Sequence, residues 1–185
     1  MLPTSPTQPP IPALANLLRS GQLDALLRQA SDCSVRWPNS GPVWHLLGLA
    51  YLNLDRPGEA VAPLTRASKL LPKDAEILEQ LGMAQMQSGH PSEAYRSFER
   101  SLALAPNQLG ALISSASLAN DAGKHAAAEG HCRRALRLAP GLPEALYNLG
   151  RALRGLNRQQ GAIDAFHATL AQAGESAVEI GRAHV

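Results

Sequence analysis

Trp44-His45-Leu46-Leu47-Gly48-Leu49-Ala50-Tyr51 opens a pattern that returns along the chain every 34 residues. From Trp44 it runs through Leu47-Gly48, Tyr51, Ala60, Leu64 and Ala67 to Pro72. One interval on, the same places hold Leu78, Leu81-Gly82, Gln85, Ala94, Phe98, Ser101 and Pro106. The next holds Leu112, Ser115-Ala116, Ala119, Ala128, Cys132, Ala135 and Pro140, and the last Leu146, Leu149-Gly150, Leu153, Ala162, Phe166, Thr169 and Gly174. The units are 41–74, 75–108, 109–142 and 143–176, with no insertions. Self-similarity at this period is the mark of a stack of helix pairs, each too small to bury its own apolar face.

An earlier unit, 7–40, keeps the phase with Leu14, Leu17, Leu26, Ala30, Cys33 and Pro38. Pro9, Pro10 and Pro12 cut its first helix short, so 13–40 reads as a shortened N-terminal repeat behind a proline-rich, flexible tail over 1–12.

Each place in the unit has a physical reading. Position 8 is Gly48, Gly82, Ala116 and Gly150, and position 20 is Ala60, Ala94, Ala128 and Ala162. Small residues facing each other there would let the two helices pack closely, with large residues at positions 4, 7, 11 and 24 around them. Position 15 is Gly21, Asp55, Gly89, Gly123 and Asn157, the types that tolerate a left-handed turn after a helix. Proline at position 32 stops the second helix, and Ser40 and Asp74 are placed to cap the first helix that follows.

The run Trp44-x-x-Leu47-Gly48-x-x-Tyr51, then Ala60-x-x-x-Leu64 and Pro72, resembles the tetratricopeptide-repeat signature across roughly residues 11–176. The resemblance implies an all-α, right-handed helical-repeat solenoid of about five helix-turn-helix repeats. Three residues depart from it: Ser115 at an apolar place, Gly174 for the closing proline, and Leu26 for a small residue.

Composition agrees with helices built from Ala and Leu, since only 4% of residues are aromatic. A net charge of +2 gives no basis for nucleic-acid binding. No stretch is long and apolar enough for a membrane span, and no secretory signal opens the chain, so the cytoplasm is the expected location. No glycine-rich phosphate loop, nucleophile elbow or zinc-protease motif occurs, so no catalytic residue, metal or cofactor is expected of this chain. Cys33 and Cys132 fall at core places and should be buried thiols, and His131-Cys132 has no second ligand pair at zinc spacing. His90 and His125 fall at inter-helix turns and should be solvated.

In the tetratricopeptide family the first helices line a concave groove through positions 5, 6, 9, 12 and 13. Carried onto this chain, the resemblance gives His45, Leu46, Leu49, Leu52 and Asn53, then Glu79, Gln80, Met83, Met86 and Gln87. The third set is Ile113, Ser114, Ser117, Asn120 and Asp121, and the fourth Tyr147, Asn148, Arg151, Arg154 and Gly155. The strongest candidates for partner contact are Leu49, Gln80, Met83, Ser114, Ser117, Asn120, Asn148, Arg151 and Arg154. They imply a protein or peptide partner with an apolar part and an acidic part. The family's carboxylate clamp is missing, because His45 and Leu49 stand where Lys and Asn would be.

The stretch from Trp37 to Glu76 is similar to the arrays in front of bacterial SPINDLY-type O-linked N-acetylglucosamine transferases, and like arrays precede sulfotransferase domains. A truncated front of such a transferase is therefore one alternative to a free-standing interaction scaffold. The closing string Glu179–Val185 reads as the translation of a sequencing adapter, so the native protein is expected to be longer than this chain. With no polar helix expected after Ser176, self-association through an uncapped end is the other alternative.

Overall fold

The computed structural model describes residues 8–182, and their side chains over residues 8–172. These residues form ten helices and no strand. In chain order they are α1 (Ile11–Arg19), α2 (Leu23–Arg36), α3 (Gly41–Asn53), α4 (Pro57–Leu70), α5 (Ala75–Gln87), α6 (Pro91–Leu104), α7 (Leu109–Asp121), α8 (His125–Leu138), α9 (Pro143–Gly155) and α10 (Gln159–Arg182). They pair as five helix-turn-helix repeats of a helical-repeat solenoid. The chain divides into two compact units between Ser97 and Phe98, within α6. No helix among the described residues is long and apolar enough to cross a membrane.

All five first helices end in the same way. Gly21, Asp55, Gly89, Gly123 and Asn157 have φ of 69°, 55°, 78°, 71° and 58°. At each, the amide of the next residue donates back across the last turn, as from Arg56 to Tyr51 and from Arg158 to Leu153, both 2.9 Å. The amide of the left-handed residue itself donates to the carbonyl three residues earlier, as from Asp55 to Leu52 at 3.1 Å. This paired closure satisfies carbonyls the helix leaves free. The second helices α2, α4, α6 and α8 end two residues before Pro38, Pro72, Pro106 and Pro140. Asp74 accepts from the amides of Glu76 and Ile77 at the start of α5, as a cap should. Ser40 makes no such bond at α3, where Pro42 in the first turn has already removed one amide donor.

Where the fifth repeat lacks the closing proline, no stop occurs. The helix α10 runs through Gly174 and on to Arg182, into the segment 177–185 expected to hold no amphipathic helix. Glycine weakens a helix but does not block it as proline does. Expectations for residues 1–7 and 183–185 lie outside the described residues.

The close contact within a repeat includes one of the large residues expected around it, that at position 24. A Cβ on Gly48 would lie 2.5 Å from Cγ of Leu64, and one on Gly150 would lie 2.6 Å from Cε1 of Phe166. Position 8 therefore packs against position 24, and the two share a fixed space. Gly48 stands with Leu64 and Gly150 with Phe166, while the same two positions of the unit 109–142 are Ala116 and the smaller Cys132, both buried. In the first repeat the sizes are reversed, with Leu14 at position 8 and Ala30 at position 24, both with no exposed surface. Leu26 then takes position 20, also fully buried, into the core with Val43, Leu47 and Ala50.

The second unit buries the polar residues Ser101, Ser115, Asn120, His131 and Asn148. Ser115 is fully buried, and its hydroxyl has no partner among the described residues. His131 on α8 places Nε2 3.2 Å from Oε1 of Glu99 on α6, and its Nδ1 is buried without a partner among the described residues. Burial pushes the His131 imidazole below its ordinary 6.5, while the Glu99 carboxylate pulls it back and Arg134 adds to the lowering. Cys132 beside it is buried and free, its thiol pushed up to about 12 by burial. Cys33 is likewise a buried free thiol.

These contacts give three expected outcomes. Gly48→Ala should lower stability by about 1–2 kcal/mol, because the clash with Leu64 outweighs the better helix propensity of alanine. Gly130→Ala on α8, with nothing within 4 Å of the added carbon, should instead raise stability by about 0.5–1 kcal/mol. Urea midpoints of the two variants moving in the same direction would contradict the space argument. Ser115→Ala should stabilise by about 1 kcal/mol by removing an unpaired buried hydroxyl; a lower midpoint would mean that the hydroxyl has a partner. For His131 the imidazole is neutral in both folded and unfolded chains above about pH 7. As pH falls through the ordinary 6.5, the unfolded chain takes up a proton before the folded one does, so stability declines. His131→Gln should flatten that slope in unfolding measured from pH 7.5 down to about 5; a slope equal to the parent's would show that His131 is not its source.

Candidate functional site

The first helices carry the candidate residues into two hollows, one in each compact unit. In the first unit, α3 and α5 lie side by side, and between them is a hollow of about 330 Å³. Leu49, Leu52 and Asn53 line it from α3, and Gln80, Met83 and Gln87 from α5. Its floor is set by the helix pattern: Leu46 and Leu47 turn into the core, while Leu49 and Leu52 stay half-buried on the open side. Leu46 was expected on the groove and is instead buried.

Gln80 is fixed from two sides. His45 Nε2 meets Gln80 Oε1 at 2.5 Å, and Gln80 Nε2 donates to Glu76 Oε1 at 3.0 Å. With the amide oriented this way, His45 is the donor and carries its proton on Nε2. Asn53 donates one amide hydrogen to the Leu49 carbonyl at 2.8 Å. Met83 and Met86 are exposed large apolar side chains at 40% and 37%.

In the second unit the hollow measures about 340 Å³ and is lined by Asn120, His125, Arg151, Arg154 and Gly155. Position 12 of α7 and α9 supplies Asn120 and Arg154, and position 9 of α9 supplies Arg151. Arg151 is held: Nη2 donates to Asp121 Oδ1 at 2.5 Å and Nη1 to Asn148 Oδ1 at 3.4 Å. Arg154 is exposed and forms no ion pair among the described residues.

Asn120 and Asn148 depart from the expectation of open groove contacts. Asn148 is buried and donates to the Glu144 carbonyl at 3.0 Å. Asn120 is buried at 6% exposure and donates to the Asn148 carbonyl at 2.9 Å, so its amide joins α7 to α9 and forms the floor of the hollow. Both side chains are short enough for the neighbouring backbone to reach them, and burial requires that they be paired. Ser114 and Ser117 are half-buried on α7 and are not among the residues lining this hollow.

His125 was expected to be solvated but forms a wall. It is half-buried, with Nδ1 3.3 Å from Asn120 Oδ1, and its ring lies where a side chain on Gly155 would have to be. The missing side chain of Gly155 is what admits the imidazole. The signal was present in the sequence as glycine at position 13, an unusual choice in the last turn of a helix.

Family models for the tetratricopeptide repeat match residues 45–108 and 79–143, and a second such model matches residues 144–176. No curated sequence matches the chain. The fold is similar to the crystal structure of MamA at a TM-score of 0.79 and 21% identity, over 89% of this chain and 96% of that one. It is also similar to YrrB, a tetratricopeptide-repeat protein with a peptide-binding site, at 0.83 and 15%, over 95% and 90%. MamA 41-end from Desulfovibrio magneticus RS-1 gives 0.76 and 18%, over 88% and 92%. At these identities the likeness is one of fold. The helix pairs, their common turn closure and the matched residues together place this chain in the tetratricopeptide-repeat family.

Proposed function

We propose that this chain is a protein-interaction scaffold whose first helices take peptide, the α3–α5 hollow fitting an apolar side chain and the α7–α9 hollow fitting an acidic one. The observation that carries the reading is Arg154, an exposed arginine without an ion-pair partner among the described residues, beside a hollow floored by the Asn120 amide. A guanidinium offers paired donors that match a carboxylate. Arg151 contributes less, because Asp121 already occupies one edge of it. Gln80 and Asn53 offer amides at the rim of the other hollow, while Leu49, Leu52 and Met83 give it apolar walls. YrrB, similar in fold, is itself a peptide-binding repeat protein.

An array of synthetic peptides with and without Asp or Glu tests this. Acidic members should bind, and Arg154→Ala should weaken them about five- to twentyfold at low salt. Arg151→Ala should weaken them less, and Arg137→Ala, on exposed α8 surface, not at all. Equal affinity for Arg154→Ala and the parent would remove the reading.

The resemblance across residues 37–76 supports a version in which the same groove recruits substrate for a transferase. Self-association is favoured by a different observation: Ile163 and Leu170, one face of α10, are 47% and 69% exposed. That version needs a sedimentation coefficient that rises with concentration; a monomer throughout would end it.

A further inference from the structure

We propose that Met83 and Met86 are a peroxide-oxidation site that switches the α3–α5 hollow from apolar to polar. The inference rests on the reading that this hollow holds an apolar side chain of a peptide. Apart from Met1, these are the methionines of the whole chain, and they lie three residues apart on one helix. Residues three apart share a helix face. On that same helix Ile77, Leu78 and Leu81 are at most 3% exposed, whereas Met83 and Met86 are 40% and 37% exposed. The two thioethers are thus not core packing of α5; Met83 lines the hollow and Met86 stands in the open on the next turn.

The other sulfur atoms among the described residues do not compete for the oxidant. Cys33 is 8% exposed and Cys132 is 1% exposed. Burial raises both thiols above their ordinary value, so the thiolates that would attack peroxide are scarce. A thioether needs no deprotonation. Its sulfur lone pair attacks one oxygen of hydrogen peroxide, and the O–O bond breaks. The departing hydroxide takes up the proton released from the transferred oxygen, leaving water. Sulfur loses two electrons and peroxide gains them, so one peroxide gives one sulfoxide and one water.

The product changes the chemistry of the hollow. A sulfoxide is a strong dipole with an accepting oxygen. Placed against Leu49 and Leu52 it removes the apolar match to a peptide side chain. The amides to receive it are already at the rim, since Asn53 keeps a second amide hydrogen beyond its bond to Leu49 and Gln87 lines the same hollow. The oxidised side chain is therefore stabilised in the place the peptide would take.

The test uses the full chain, hydrogen peroxide, and a synthetic leucine-anchored acidic peptide as probe. Mass mapping should find one added oxygen at Met83 and at Met86 before any change at Cys33 or Cys132. Oxidation should weaken probe binding about tenfold, and methionine sulfoxide reductase should restore it. The double variant Met83→Leu, Met86→Leu, of similar volume and apolar character, should show the same affinity for the probe before and after peroxide, whatever that affinity is relative to the parent's. Circular dichroism on the oxidised chain shows whether the helices persist. Undiminished binding by the oxidised, folded chain overturns this inference alone, as does earlier oxidation of the cysteines or equal peroxide sensitivity in the leucine variant. A reduced chain that does not bind the probe overturns the apolar-hollow reading and this inference with it.

Discussion

Much in this array rests on one shared space inside a helix pair, between position 8 of the first helix and position 24 of the second. In α3–α4 and α9–α10 glycine leaves that space to Leu64 or Phe166, and in α1–α2 leucine and alanine exchange places, Leu14 and Ala30 sharing one core. Protein interiors are packed to near-crystal density, so neither a second large residue nor a void is tolerated cheaply there. Filling it sets how near the two helices come, and that distance fixes which residues of the first helix remain on the open side. Leu49 and Leu52 can wall a hollow because Leu46 and Leu47 are held inward by this packing.

The repeat itself was legible because three unlike requirements coincide at one period. A left-handed turn needs Gly, Asn or Asp, a helix stop needs proline, and the close contact needs a small residue. The structure shows the first two at the expected places, down to positive φ at Asp55 and Asn157, where no glycine stands. For the third, sequence alone lines up positions 8 and 20 as two small columns with position 24 among the large residues around them, and geometry adds how tightly Leu64 lies on Gly48. The run of α10 through Gly174 was missed, since a period teaches where a stop usually stands and not what replaces it.

The site was legible only in outline. Positions counted from the family groove put Leu49, Gln80, Met83, Arg151 and Arg154 where two hollows were found. Counting could not separate residues that line a hollow from residues that floor it. Asn120 and Asn148 occupy groove positions, yet their amides are used on neighbouring backbone. Nor could counting rank the two arginines, because Arg151 pairs with Asp121 across helices, a contact 30 residues distant in sequence. His125 escaped for the same reason: its place depends on an absent side chain at Gly155.

The reversed sizes in the first repeat bear on how such a chain can be reshuffled. Leu14 with Ala30 and Gly48 with Leu64 are two solutions to one volume, and they do not mix. A genetic crossover in the turn between the helices would join Leu14 to Leu64, overfilling the pair, or Gly48 to Ala30, leaving it hollow. A crossover at Pro38 or Pro72 exchanges whole pairs and leaves every volume intact. Duplication and recombination can therefore lengthen or reorder this array freely at the proline boundaries, while breaks inside a pair are removed by misfolding.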